Sequence, residues 1–116
     1  QRVALARTFC LDSSVLLMDE PFGALDTQTK LQLEDVLLKL WTSQRKTVVF
    51  ITHDLAEAIA LSDRVIVMRA RPGTIIADID IDLPRPRHVM ALQKNAHYHE
   101  LYAEIWSKLE TAFGET

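Results

Sequence analysis

Two carboxylates and one imidazole stand out in the sequence for where they fall. Asp19 and Glu20 close the apolar run Val15-Leu16-Leu17-Met18, and His53 follows a second such run, Thr47-Val48-Val49-Phe50-Ile51-Thr52. A hard carboxylate oxygen suits Mg²⁺, and a second carboxylate beside it can act as a general base on water. Successive strand residues point to opposite sides, so Asp19 and Glu20 need not serve the same ligand. Two acids that merely end a strand are the plain alternative, as is a histidine that is only a turn residue. Taken together across one crossover, the three point to chemistry on a phosphate.

Positioning them falls to elements that the hydrophobic pattern outlines. Residues 1–10 read as a helix facing inward through Val3, Ala6 and Phe9 or Cys10. The run at 15–18 has the continuous apolarity of a strand buried on both faces. Pro21 and Gly23 mark a turn, after which Asp26 or Thr27 caps a helix with Leu33, Val36, Leu37, Leu40 and Trp41 on one stripe. A β-branched strand at 47–52 precedes Asp54 and Glu57, spaced as a capping box, and a short helix through Leu61. A third strand is expected at 64–68, and a turn at Pro72-Gly73. After it comes a half-buried strand in which Ile79, Ile81 and Leu83 alternate with Asp78, Asp80 and Asp82. Tyr98, Leu101, Tyr102, Ile105, Leu109 and Phe113 then make an amphipathic helix. Strands alternating with helices predict an α/β fold with a parallel sheet and right-handed crossovers. In such a sheet ligands sit beyond the carboxyl ends of the strands, where Glu20 and His53 fall.

Composition limits the partners. The chain has 116 residues and a net charge of −3, which argues against a nucleic-acid backbone as the main partner. No apolar run approaches the ~20 residues of a membrane span, and no secretory leader is visible. A single cysteine, Cys10, excludes an internal disulfide and reads as a small buried apolar residue. Arg69, Arg71, Arg85 and Arg87, interleaved with prolines and Gly73, read as solvated turn surface. His97 and His99 lack further ligands at zinc spacing and read as solvated. Tyr98, Tyr102 and Trp106 read as packing rather than a base-stacking platform, and Ser13 and Ser14 lack a nucleophile's context. The chain does not start with Met and opens inside a helical pattern, so it reads as part of a longer protein.

The same residues resemble a known family. Val15-Leu16-Leu17-Met18-Asp19-Glu20-Pro21 is similar to the Walker B strand of ATP-binding cassette proteins, Gly23-Ala24-Leu25-Asp26 to their D-loop, and Thr52-His53-Asp54 to their H-loop. Residues 1–7 resemble the helix after the signature loop. The resemblance covers residues 1–69 and implies the parallel-sheet portion of a P-loop NTPase domain, a three-layer α/β/α arrangement with a C-terminal strand and amphipathic helix. It divides the chain into an ATPase portion, 1–87, and a helical extension, 88–116. ATP and Mg²⁺ are the implied cofactors. Asp19 is implied to position Mg²⁺, partly through water, Glu20 to polarise the attacking water, and His53 to contact the γ-phosphate. Ala24, Leu25 and Asp26 are implied to meet a second nucleotide-binding subunit.

Residues 57–87 are similar to the nitrate/sulfonate/taurine importer branch. The implied partners are then a transmembrane permease and, indirectly, a periplasmic solute-binding protein, with the subunit peripheral on the cytoplasmic face of a bacterial inner membrane. A soluble, non-transport ATPase and a truncated, non-catalytic binding module are the alternatives. The chain departs from the family in having no Gly-rich phosphate loop with its Lys, no Gln-containing coupling loop and no signature motif. Hydrolysis is therefore expected of a longer protein and not of this chain alone.

Overall fold

The computed structural model describes residues 2–69, 71 and 73–114. Its elements run α1 (Arg2–Phe9), β1 (Val15–Asp19), α2 (Thr27–Ser43), β2 (Thr47–Ile51), α3 (Leu55–Leu61), β3 (Arg64–Arg69), β4 (Thr74–Asp80), α4 (Val89–Leu92) and α5 (Ala96–Gly114). The result is a mixed α/β structure with two small sheets. β1 and β2 pair in parallel, from Val15 opposite Thr47 to Asp19 opposite Ile51. The crossover between them is α2, capped as expected by Asp26, whose side chain accepts the Thr29 N–H at 2.8 Å.

β3 pairs with β4, and the pairing is antiparallel. A single parallel sheet, the expectation for all the buried strands, is therefore not what these residues form. The physical reason is the connection: only residues 70–73 separate the two strands, and so few residues can join antiparallel neighbours but not parallel ones. Pro72, half of the expected turn, lies outside the described residues; Gly73 takes a positive φ of 84°, which suits a turn glycine. The expected acidic alternation holds, with Ile79, Ile81 and Leu83 buried and Asp78, Asp80 and Asp82 exposed.

Two cores result. One gathers Leu5 and Phe9 of α1, Leu16 and Met18 of β1, Phe22, and Leu33 and Leu37 of α2. The other joins Ile59 and Ala60 of α3, Val65 and Val67 of β3, Ile79, and Tyr98, Leu101 and Ile105 of α5. Leu61 touches both. Residues 88–114 thus share a core with α3 and the hairpin. No helix among the described residues is long and apolar enough to cross a membrane.

Several burial expectations are corrected. β1 is covered on one face only: Leu17 is 69% exposed, and Val15, Val49 and Ile51 are exposed with it. No described element packs there, although the sequence is apolar enough for a strand enclosed on both sides. α1 faces inward through Leu5 and Phe9, leaving Val3 exposed, and Cys10 is exposed because Phe9 takes the last interior position of the helix. On α5 the inward stripe is Tyr98, Leu101, Ile105 and Ala112 with Leu109 partly buried beside them, while Tyr102, Trp106 and Phe113 are exposed. His97 is half-buried and paired with Asp82 at 2.5 Å.

The largest correction concerns the arginines. Arg87 is buried, and its guanidinium donates to the carbonyls of Ser62 at 2.7 Å, Leu83 at 2.9 Å and Ile81 at 3.3 Å. It also reaches Ile59 and Ala60, the last carbonyls of α3. Burial lowers its pKa to about 10, which leaves it charged at neutral pH. Arg85 binds Asp63 at 2.9 Å and the Leu61 carbonyl at 2.8 Å, and lies over the Trp41 ring at 4.3 Å. Orphaned carbonyls at a helix end need donors, and a five-donor fork can serve several at once. Arg87→Met is expected to destabilise the fold by roughly 2–4 kcal/mol, because it strands buried carbonyls. Arg87→Lys should recover little of that loss, since an ammonium lacks the fork. Urea denaturation of the two variants checks both statements.

Candidate active site

The parallel register brings the predicted residues to one edge. Asp19 and Ile51 are the last partners of the ladder, and the Glu20 N–H extends it by donating to the Ile51 carbonyl at 2.7 Å. Chain direction then changes sharply. Glu20 has φ +46°, a left-handed conformation that costs about 1–2 kcal/mol for a residue with a Cβ. Such strain persists only where the surroundings impose it, and it collects at functional sites. Here Phe22 imposes it: its ring is buried and packs against Phe50 of β2 with centroids 6.0 Å apart. The Gly23 N–H closes the turn onto the Glu20 carbonyl at 3.2 Å.

The turn delivers the Glu20 carboxylate to His53, with Oε1 3.0 Å from Nε2. Both side chains are open to solvent, at 43% and 89% exposure. With one carboxylate oxygen engaged by the imidazole, the other is available to water. A cleft beside the pair is lined by Glu20, Gly23, Lys30, Thr52, His53, Asp54 and Glu57. Asp19 ends β1 on the exposed Val15/Leu17 face and does not line this cleft. Among the described residues no group of three or more His, Cys, Asp or Glu side chains forms a metal cage. Of the three residues after Gly23, Ala24 is exposed and Leu25 packs against the first core; Asp26 is engaged as the α2 cap. The Thr29 amide holds the Asp26 carboxyl below its ordinary pKa.

No family model matches the chain. Curated relatives do. An ABC transporter ATP-binding protein of Methanocaldococcus jannaschii is 56% identical over 87 residues, covering 75% of this chain and 33% of the relative. The aliphatic sulfonates import ATP-binding protein SsuB of Bacillus cereus is 52% identical over 113 residues, covering 97% of this chain and 42% of the relative. The nitrate transport protein NasD of Klebsiella oxytoca is 44% identical over 106 residues, or 90% of this chain and 40% of the relative. The chain spans well under half the length of these proteins.

Three of the lining residues, Lys30, Asp54 and Glu57, form with the buried Glu34 a polar cluster of which the sequence reading had only the Asp54/Glu57 cap. Lys30 Nζ meets Asp54 Oδ2 at 2.9 Å, and Asp54 Oδ1 accepts the Glu57 N–H at 3.2 Å. Burial pushes the Asp54 carboxyl up, but the bonds from Lys30 and the Glu57 amide prevail and hold it below its ordinary value. Lys30 is raised, chiefly by Asp54. Glu34 and Glu57 are each only 2% exposed. Burial raises the Glu57 carboxyl, against the smaller opposing influence of the Thr52 side chain. Burial and then the charge of Glu57 push Glu34 up to about 8. One signal for Glu34 was present: it sits one turn after Lys30 and three and four positions before Leu37 and Leu38, on the buried side of α2.

A carboxyl raised on folding keeps a proton that the unfolded chain releases. Glu34 therefore lowers stability progressively as pH rises from about 4.5 to about 8, and by a constant amount above that. Glu34→Gln removes the titration while keeping the shape. Its urea midpoint is expected to match the parent's near pH 4.5 and to exceed it at pH 8, by a difference on the order of 2 kcal/mol. Equal midpoints at both pH values would contradict a buried, proton-bearing Glu34.

Proposed function

This chain belongs to the ABC transporter ATP-binding proteins, and from that premise we propose that it is the catalytic C-terminal portion of an ATP-hydrolysing importer subunit. The observation that carries the reading is the 3.0 Å contact between Glu20 and His53 at the matching ends of two parallel strands. Glu20 polarises the attacking water with the carboxylate oxygen that His53 leaves free. His53 holds that carboxylate in place and contacts the γ-phosphate of ATP. Asp19, a hard oxygen donor at the end of β1, would position Mg²⁺, in part through water. The ion's contribution is to neutralise charge on the phosphates. Ala24, Leu25 and Asp26 face a second copy of the subunit.

Similarity to a sulfonate import protein and a nitrate transport protein supports uptake of a small oxyanion or sulfonate-type solute, taurine among them. The partners are then a membrane permease and, through it, a periplasmic solute-binding protein, with this subunit peripheral on the cytoplasmic side of the membrane. The uncovered face of β1 and β2 supports a longer protein whose further residues complete a three-layer α/β/α domain. Residues 1–87 belong to that ATPase domain, and residues 88–116 extend it.

Two measurements test this. The 116-residue chain is expected to release no phosphate from Mg-ATP above background. Turnover by the purified chain that Glu20→Gln abolishes would overturn that expectation. In the longer protein that supplies a phosphate loop, Glu20→Gln should lower kcat by about 10²–10⁴-fold while ATP still binds. Full turnover by that variant would remove Glu20 from the mechanism.

A further inference from the structure

The ladder that aligns β1 with β2 ends at the bond from the Glu20 N–H to the Ile51 carbonyl. Beyond it the chain leads from one strand into α2 and from the other into α3. Among the described residues, the hydrogen bonds and ion pairs that rejoin residues 20–30 to residues 52–57 are side-chain contacts. One is the Glu20–His53 contact at 3.0 Å; the other is the Lys30 ammonium, which donates to Asp54 Oδ2 at 2.9 Å. All four residues line the same cleft. The His53 ring is exposed, so packing does not aim it; the backbone on either side must. Lys30 grips that backbone at the very next residue. Its own end is firm, since the Lys30 N–H donates to the Asp26 carbonyl at 2.9 Å in the capped first turn of α2. Capping of α3 does not explain the pair: Asp54 caps with Oδ1, on the Glu57 N–H, and would do so without Lys30. The two side chains are 20% and 35% exposed, more sheltered than the surface pairs that contribute little. Burial works against the Asp54 charge, yet the bonds from Lys30 and the Glu57 amide hold its carboxyl low, and Asp54 raises Lys30. Both are therefore charged at neutral pH.

We propose that Lys30 is a positioning residue for the reaction: its ion pair with Asp54 fixes the turn that holds the His53 imidazole on Glu20. This rests on the reading of Glu20 and His53 as the hydrolytic pair. With the sheet, the two contacts close a ring that runs from Glu20 through the start of α2 to Lys30, Asp54, His53 and back. Lys30 touches neither phosphate nor attacking water in this role, because its ammonium is committed to Asp54. Without it the turn keeps its own bonds, the Asp54 N–H on Thr52 Oγ1 at 2.9 Å among them, but loses its tie to α2. Lys30→Arg keeps a cation at similar reach and preserves the tie; Lys30→Met keeps the apolar stem and breaks it.

The test is a set of kinetic cycles in the longer ATP-hydrolysing protein, with single-turnover rates for the slow variants. Lys30→Met is expected to lower kcat about tenfold with KM for ATP within about twofold, and Lys30→Arg to stay within about threefold of the parent. In a His53→Ala background, Lys30→Met should cost less than about twofold more, because its effect passes through His53. An unchanged kcat in Lys30→Met overturns the proposal, as does a full tenfold loss repeated without His53. A KM raised about tenfold at unchanged kcat also overturns it, and makes Lys30 a phosphate-holding group instead. If Lys30→Met does not fold, Asp54→Asn removes the ion pair while keeping an oxygen to cap α3, and is held to the same criteria. Glu20→Gln separates the two readings: full turnover there sinks the hydrolytic pair itself, whereas loss of turnover with additive Lys30 and His53 effects sinks only the positioning role.

Discussion

The parallel pairing of β1 with β2 is the constraint on which the site depends. Its register ends with Asp19 opposite Ile51, and the Glu20 amide adds one more bond to the same ladder. A slip of a single residue would send Leu16 and Met18 to the uncovered face and lose the alignment of the Glu20 turn with residues 52–54. The core beneath therefore specifies the site above. Leu16, Met18 and Phe22 are buried against α1 and α2, and that burial selects the register in which the carboxylate meets the imidazole. The left-handed φ of Glu20 is held by the same packing, through the contact of Phe22 with Phe50.

The second core solves a different problem. α3 is short and ends close to the start of β3, so its terminal carbonyls come to lie inside the protein. Arg87 answers them from a segment far along the chain, joining the end of α3 to residues 81–83. Arg85 performs a neighbouring task at Leu61 and Asp63, with Trp41 of α2 under its guanidinium. A segment that reads as a charged, proline-rich turn is thereby the tie between α2, α3 and the hairpin. Because α3 begins at Asp54, this tie also bears on the turn that carries His53.

Legibility in the sequence followed the physics that generated each feature. The caps at Asp26 and Asp54, the strand at β2 and the alternation around Ile79, Ile81 and Leu83 are local, and local patterns report them faithfully. The Glu20–His53 meeting was legible because a parallel crossover leaves little choice of edge. Arg87 was not, since charge normally signals exposure and its carbonyl partners lie up to 28 residues away. Position held a hint, in that Arg87 continues the odd-numbered series Ile79, Ile81, Leu83 and Val89, all buried. Glu57 was read as half of a capping box; its burial depends on α2, which no local pattern around α3 reports. The exposure of Leu17 and Val49 ran opposite to their hydrophobicity, because what covers a sheet is a property of its neighbours.

Charge in the cleft bears on how much of a reaction these residues can perform. Its acidic lining is Glu20, Asp54 and Glu57, against the single cation Lys30, which is already committed to Asp54. A triphosphate brought to this edge would meet carboxylates at close range, and repulsion between like charges is strongest where solvent is thin. Hydrolysis needs the opposite: cations and backbone N–H groups gathered around the phosphates, with one carboxylate facing water. The cleft supplies the carboxylate, holds it with an imidazole and seats both on a braced turn. Cationic and N–H groups for the phosphates would have to come from residues outside this cleft. That division supports reading the present chain as the water-activating side of a site whose phosphate-holding side is contributed separately.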